Sequence, residues 1–239
     1  LKGRKAEKGS SFSAEMKTGW DALTGKKGIL TLVVMGALIT FCLGVIQTLA
    51  SPMVLSFSDS VTLGTLMTVI TLGMLVSSAV LGGISIQNGY AGLLSLSLFG
   101  AGIFMALFGL RENVVFMGAA GFLFFAMLPF ANASLDYLLR TNIENRLQGR
   151  AWGMIGLISQ LGYVAAYAVS GLLADYVFTP LLLDGGPLSE SVGKILGTGP
   201  GRGIGLLIIL AGLLLCVTSG ILLCMKSIRS LENGGLYEP

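Results

Sequence analysis

Histidine is missing from this 239-residue sequence altogether, which removes imidazole acid–base catalysis and His-ligated metal centres from consideration. Charge is scarce as well: 11% of the residues are Asp, Glu, Lys or Arg, against about 25% in an ordinary soluble domain. Too few polar residues remain to wrap a water-soluble core, so a bilayer is the solvent the chain expects. Cysteine occurs three times, as Cys42, Cys216 and Cys224. That odd count, inside apolar runs, has neither disulfide nor metal-ligand spacing, and the thiols read as lipid-facing or packing residues. The net charge is only +3, and no basic patch is interleaved with aromatics, so nucleic acid is not an expected partner. No nucleophile, base or metal constellation stands out, which argues against an enzyme, and no cofactor is implied. The opening segment is polar and unlike a signal peptide, and the first residue is Leu1, so the chain reads as a piece of something longer.

What is present is apolar: 54% of the residues, with a mean hydropathy of +0.84. About 20 apolar residues cross the hydrocarbon core of a bilayer as a helix, and six such runs occur, at 28–55, 61–86, 91–110, 114–137, 151–174 and 204–225. Pro52 near the end of the first suggests a tilt, a kink or an exit from the membrane. The expected fold is an all-α membrane protein of six transmembrane helices. Residues 1–27 form a linker with Phe12, Met16, Trp20 and Leu23 at helical spacing, an amphipathic helix on the membrane surface. Residues 226–239 form a tail. Twelve Lys and Arg fall on the side that carries the N-terminus, and three, Arg111, Lys194 and Arg202, fall on the other. Positive charge is retained in the cytoplasm, so both termini are expected there.

Small residues recur every fourth position in three spans: Gly36, Thr40 and Gly44; Gly162, Ala166 and Ser170; Gly212, Cys216 and Gly220. Close helix contact in lipid uses such stripes, although glycine is common in membrane helices generally. Ionisable residues are nearly absent from the spans. Asp136 stands one turn before Arg140, an expected intrahelical pair at the membrane surface, and Asp175 reads as an end marker. Gln47, Asn132, Gln160, Tyr163 and Tyr167 are the candidate cavity residues; the last three lie at i, i+3 and i+7 and share one helix face. Interhelical hydrogen bonding is the plainer alternative for all of them. Pro129 frees a backbone carbonyl, as broken helices beside a substrate path do and as packing kinks also do. The run GTGPGRGIG at 197–205 imitates a phosphate loop, but no strand precedes it and the lysine is missing. It reads as a turn into the last helix, with Arg202 near the headgroups.

The stretch ENRLQGR at 144–150, followed by a helix ending in GLLAD at 171–175, resembles the loop and eleventh helix of major facilitator superfamily exporters. It is most similar to the group of macrolide efflux proteins and the enterobactin exporter. The linker with Trp20, the first span and the GPGRG turn at 199–203 resemble the same group, so the likeness covers nearly the whole chain. The resemblance implies the C-terminal half of a twelve-helix carrier, built as two inverted three-helix repeats. It also implies that Gln148, Gly149 and Arg150 belong to a cytoplasmic conformational loop with Asp136, Arg140 and Glu144. There the glycine would permit a turn and the arginine would help lock the two halves. Asn132 matches a polar position before that loop. The superfamily's other basic loop motif is expected between the second and third spans, where the sequence is the uncharged SIQNGY of 85–90.

The function implied is half of a secondary exporter of small amphipathic, drug-like or macrolide-like molecules in a bacterial inner membrane. It would use alternating access and be coupled to protons. Its partner would be the missing N-terminal six-helix half, or a second copy. The alternative is a non-transporting membrane anchor or docking module fused to another functional domain.

Overall fold

The computed structural model describes residues 12–25, 27–225, 228 and 231–232. Nine α-helices follow one another among them: α1 (Phe12–Thr24), α2 (Lys27–Leu55), α3 (Ser60–Gly83), α4 (Tyr90–Leu110), α5 (Val114–Asn142), α6 (Gln148–Leu173), α7 (Thr179–Leu182), α8 (Gly193–Leu196) and α9 (Pro200–Cys224). A π turn, Ala174–Phe178, joins α6 to α7. Six helices are long and apolar enough to cross a membrane, and the chain is an integral membrane protein by that measure. The fifth of these continues through the π turn to Leu182, past the expected end at residue 174, and the fourth runs to Asn142. Pro52 and Pro129 both lie inside continuous helices. The basic residues Lys2, Arg4, Lys5, Lys8 and Lys26, and most of the tail, lie outside the described residues.

Local chemistry sets several ends. The Asp59 carboxylate accepts the Thr62 N–H at 2.8 Å and starts α3. Asn113 does the same for Phe116 at 3.0 Å and starts α5. Pro200 opens α9, where a missing N–H removes no helical bond.

The centre of the bundle is the antiparallel pair α4 and α9. The Ser219 hydroxyl donates to Ser95 O at 2.5 Å, Gly102 faces Gly212, and Gly109 faces Gly205. A Cβ on Gly102 would stand 2.6 Å from Gly212 O, and one on Gly212 would stand 2.6 Å from Gly102 O. Backbone therefore touches backbone, which only glycine permits, and dispersion between close main chains replaces the hydrophobic drive that lipid does not supply. The contacts step by seven residues along each helix. Of the expected stripe on the last span, Gly212 and Cys216 meet α4, whereas a Cβ on Gly220 would meet nothing within 4 Å. The working row is Gly205, Gly212 and Ser219.

Two parallel pairs flank this seam. Thr40 donates to Ser159 O at 2.9 Å, Gly44 lies under Ala166, and Gly162 packs on the Ala37 carbonyl, joining α2 to α6. Gly73 packs on the Phe122 carbonyl and Gly121 under Ile70, joining α3 to α5. Cys42 Sγ reaches Ala211 O at 3.6 Å and links α2 to α9, and Cys216 Sγ reaches Phe99 O at 3.6 Å. The packing role read for these two thiols holds; Cys224 is exposed. Only 22% and 17% of the apolar windows of α3 and α6 are buried, against 44–50% for the other four spans. One long side of the bundle is thus unpartnered. At the N-terminal end α1 docks on α6, with Gly19 over the Arg150 carbonyl and Met154. The apolar stripe on α1 divides: Leu23 is buried, while Met16 and Trp20 are exposed.

Gly212→Ala is expected to lower stability by about 1–3 kcal/mol, because the added methyl overpacks a contact made of backbone. Gly220→Ala is expected to be neutral or slightly stabilising, and thermal unfolding of the two variants in one detergent compares them. Hydrogen bonds from the Thr62 side chain and N–H hold the Asp59 carboxyl below its ordinary value. Its cap is therefore in place above the normal carboxylate range and is lost as the pH falls through the lowered value. The Thr62 amide resonance should titrate with a midpoint below that of a free aspartate, and Asp59→Asn should abolish the titration.

Candidate functional site

The candidate polar residues divide into two groups. Gln47 of α2 and Tyr167 of α6 meet, the tyrosine hydroxyl donating to Gln47 Oε1 at 3.1 Å. Tyr163 stands beside Tyr167, ring centroids 5.9 Å apart. The contact is possible because Gly44, one turn before Gln47, lets α6 approach: its Cβ position is 3.3 Å from Tyr163. Gln160 continues the same face of α6 and is exposed. Asn132 is exposed on α5 and is not joined to this cluster by a hydrogen bond among the described residues; it lies two turns after Phe125 on the same face of α5. The plainer reading, interhelical hydrogen bonding, is realised for one pair of these residues. Gln47 and Tyr167 bond between helices, and they do so on the open side of the bundle.

The sequence held a further signal on that side. Thr65, Thr68 and Thr71 recur at helical spacing on α3, all exposed, each hydroxyl donating to the carbonyl four residues before it at 2.8–3.0 Å. The hydroxyls are thus satisfied without water. They still give a transmembrane helix a polar, unpartnered surface.

At the end of the bundle that carries the N-terminus, the loop residues do different work from that expected. The Gln148 amide turns back and donates to Arg140 O at 3.1 Å, Ile143 O at 3.2 Å and Asn145 Oδ1 at 3.0 Å. It closes the C-terminus of α5. Gly149 lies in the first turn of α6 at an ordinary helical φ, and a Cβ there would meet nothing within 4 Å. The turn it was expected to permit is made instead by residues 143–147. Asp136 and Arg140 form no ion pair within 4 Å among the described residues; the one pair that closes lies elsewhere. Arg150 is exposed, and its contribution within the chain is the carbonyl under Gly19. Arg140, Glu144, Asn145 and Arg146 line an open depression of about 650 Å³ beside Gln148.

The uncharged 85–90 loop obtains its charge from the tail. Glu232 Oε1 accepts the backbone N–H of Gly89 and, at 2.9 Å, that of Tyr90. These are donors that α4 leaves open, since its N-cap Gly89 has no side chain to close them. Asn142, buried at the end of α5, donates to Leu231 O at 2.9 Å. Tyr90 stacks on Tyr137 with centroids 3.7 Å apart and donates to Ile86 O at 2.6 Å. Ile228 and Leu231 are buried against the bundle. Only the length of the tail and its two acidic residues, Glu232 and Glu238, hinted at this clasp.

The opposite end is closed by one ion pair. Arg202 Nε stands 2.9 Å from Glu112 Oε1, and Nη1 is 3.4 Å from Leu110 O. Arg202 is 6% exposed, so its side chain is turned into the protein at this end of the bundle. A glycine-rich helix start lets its side chain fold inward. The guanidinium serves the carbonyl end of α4 and the carboxylate sits by the amide end of α9, the favoured sign at each dipole. In the 197–205 run Gly197 and Gly199 take φ of +92° and +136°, while Gly201, Gly203 and Gly205 pack against Ser56, Phe178 and Gly109. Its glycines are spent on turning and packing, and no phosphate cradle is left.

No protein-family model, curated protein or solved structure matches the chain.

Arg202→Met is expected to cost about 1.5–3 kcal/mol, through loss of its charge-assisted bonds to the partly exposed Glu112 and to Leu110 O. In the Glu112→Met background the same change should cost much less, and denaturant unfolding of the four proteins of this cycle measures the difference.

Proposed function

We propose that the chain is the C-terminal six-helix half of a secondary active exporter of the major facilitator type. On this reading the six spans form two inverted three-helix repeats. The observation that carries it is the way the helices choose partners. Exchanging α2 with α5, α3 with α6 and α4 with α9 turns the α2–α6 pair into the α5–α3 pair and leaves α4–α9 as it was. Inverted repeats have this property. Local detail supports it: Gly162 on the Ala37 carbonyl parallels Gly73 on the Phe122 carbonyl. Ser95, Gly102 and Gly109 also stand at one constant offset from Gly205, Gly212 and Ser219.

The open side of α3 and α6 is then the face toward a second six-helix bundle, either a missing N-terminal half or another copy. Gln47, Gln160, Tyr163 and Tyr167 would line the path between the bundles near midplane. The bundles rock about that path, and a small amphipathic, drug-like or macrolide-like substrate is exposed to each side in turn. The carboxylates within the described spans, Asp136 and Asp175, lie toward the span ends and not at midplane, so on this reading the coupling carboxylate belongs to the partner bundle. The excess of Lys and Arg on the N-terminal side supports cytoplasmic termini, and the resemblance supports a bacterial inner membrane. The same lack of intramembrane charge favours a second reading, a membrane anchor or docking module.

Accumulation of labelled macrolides and lipophilic dyes in drug-sensitive cells separates the two. Co-expression with an N-terminal six-helix bundle is expected to lower accumulation several-fold, and a protonophore should restore it. Well-folded protein from both genes with unchanged accumulation across the panel would leave the docking module as the better account.

A further inference from the structure

The two parallel pairs are each drawn tight by glycine, and α2 and α3, which belong to different pairs, barely touch. Between them a cavity of about 140 Å³ remains, bounded by all four helices α2 to α5. Its walls include Met67 and Ile70 of α3, Phe108 of α4 and Phe125 of α5, and its polar groups are Gln47 and Ser51 of α2. We propose that this cavity binds the ring-sized apolar end of an uncharged ligand that carries a carbonyl or ether oxygen, with the Gln47 amide as its polar anchor.

Three features point to that class. The volume matches that of cavities known to take a single benzene-sized guest, which is about 150 Å³ in an engineered case. Two phenyl rings and a thioether offer the edge and face contacts that favour an aromatic or branched alkyl group. The residues that line it include no Asp, Glu, Lys or Arg, so a charged group inside would lose its hydration without a counter-ion. Gln47 Oε1 is engaged by Tyr167, so the amide presents N–H donors, which select an acceptor on the ligand. Placing the cavity on a substrate path rests on the transport reading above. Occupancy itself is read on the chain alone, so a failure of transport leaves it standing.

The chemistry has two sources, a free neutral solute or the acyl ester of a membrane lipid. The purified chain in nanodiscs is titrated with 4-fluoroacetophenone and, separately, with 4-fluorobenzylammonium, observed by fluorine NMR. Saturable binding of the ketone is expected, at least 10-fold tighter than that of the cation. Ala50→Leu and Met67→Phe, each filling the cavity from a different helix, should weaken it at least 10-fold with the thermal midpoint little changed; two sites guard against one variant misfolding. Gln47→Leu should weaken the ketone but not fluorobenzene. Repeating the titration in delipidated detergent and after adding phosphatidylethanolamine separates the sources. Displacement of the ketone by lipid assigns the cavity to an acyl ester, and indifference to lipid assigns it to a solute. Linear partitioning without saturation, equal binding of the cation, or binding unaffected by both filling variants would overturn the proposal.

Discussion

The contact between α4 and α9 is the constraint on which the remaining packing depends. Gly102 and Gly212 bring two main chains together, and such proximity leaves no room for any side chain on either helix at that level. Three charged groups serve the ends of this pair. Arg202 and Glu112 serve the carbonyl end of α4 and the amide end of α9, and Glu232 serves the amide end of α4. In a chain with few charges, those that remain near the helix ends answer the backbone groups that a helix cannot satisfy itself. The α2–α6 and α3–α5 pairs then attach on either side, α2 through Cys42 at Ala211 and α5 through its packing on α4.

Much of this was legible in the sequence because the bilayer imposes simple rules. Span number and approximate limits follow from hydropathy alone, and the α2 and α6 stripes of Thr40, Gly44, Gly162 and Ala166 do face each other. The stripe on the last span was half right. A four-residue step selects Gly220, whereas the seam advances by seven and uses Gly205 and Ser219. Reading α4 for a seven-residue row would have found Ser95, Gly102 and Gly109. The partner of Arg202 was not legible, because an arginine close to a membrane surface in sequence has no visible carboxylate until the fold brings Glu112 to it. Gly149 was assigned to a turn that its helical φ does not need. The tail clasp depends on contacts between distant segments, which spacing along the chain does not encode.

The candidate site shows the same division. Gln160, Tyr163 and Tyr167 were placed on one face by periodicity, and Gln47 joined them only through the α2–α6 contact. The cavity beside Gln47 has no sequence signature, since it is a gap between two well-packed pairs and not a motif. Polar side chains and empty space both fall where packing between pairs is loosest. In a membrane helix bundle those are also the places where a solute can be accommodated without dismantling a close contact.

The seven-residue step of the α4–α9 seam limits how the bundle can move. The seam holds three contacts, each two helical turns from the next, on the facing sides of both helices. Because glycine meets glycine only in one register, the next equivalent alignment lies a whole heptad away, about 10 Å along the axis. Sliding by anything less drives a side chain into a carbonyl. The pair can tilt or turn as a single body but cannot creep, so any conformational change passing through this bundle must be carried by its outer helices or by the bundle as a whole.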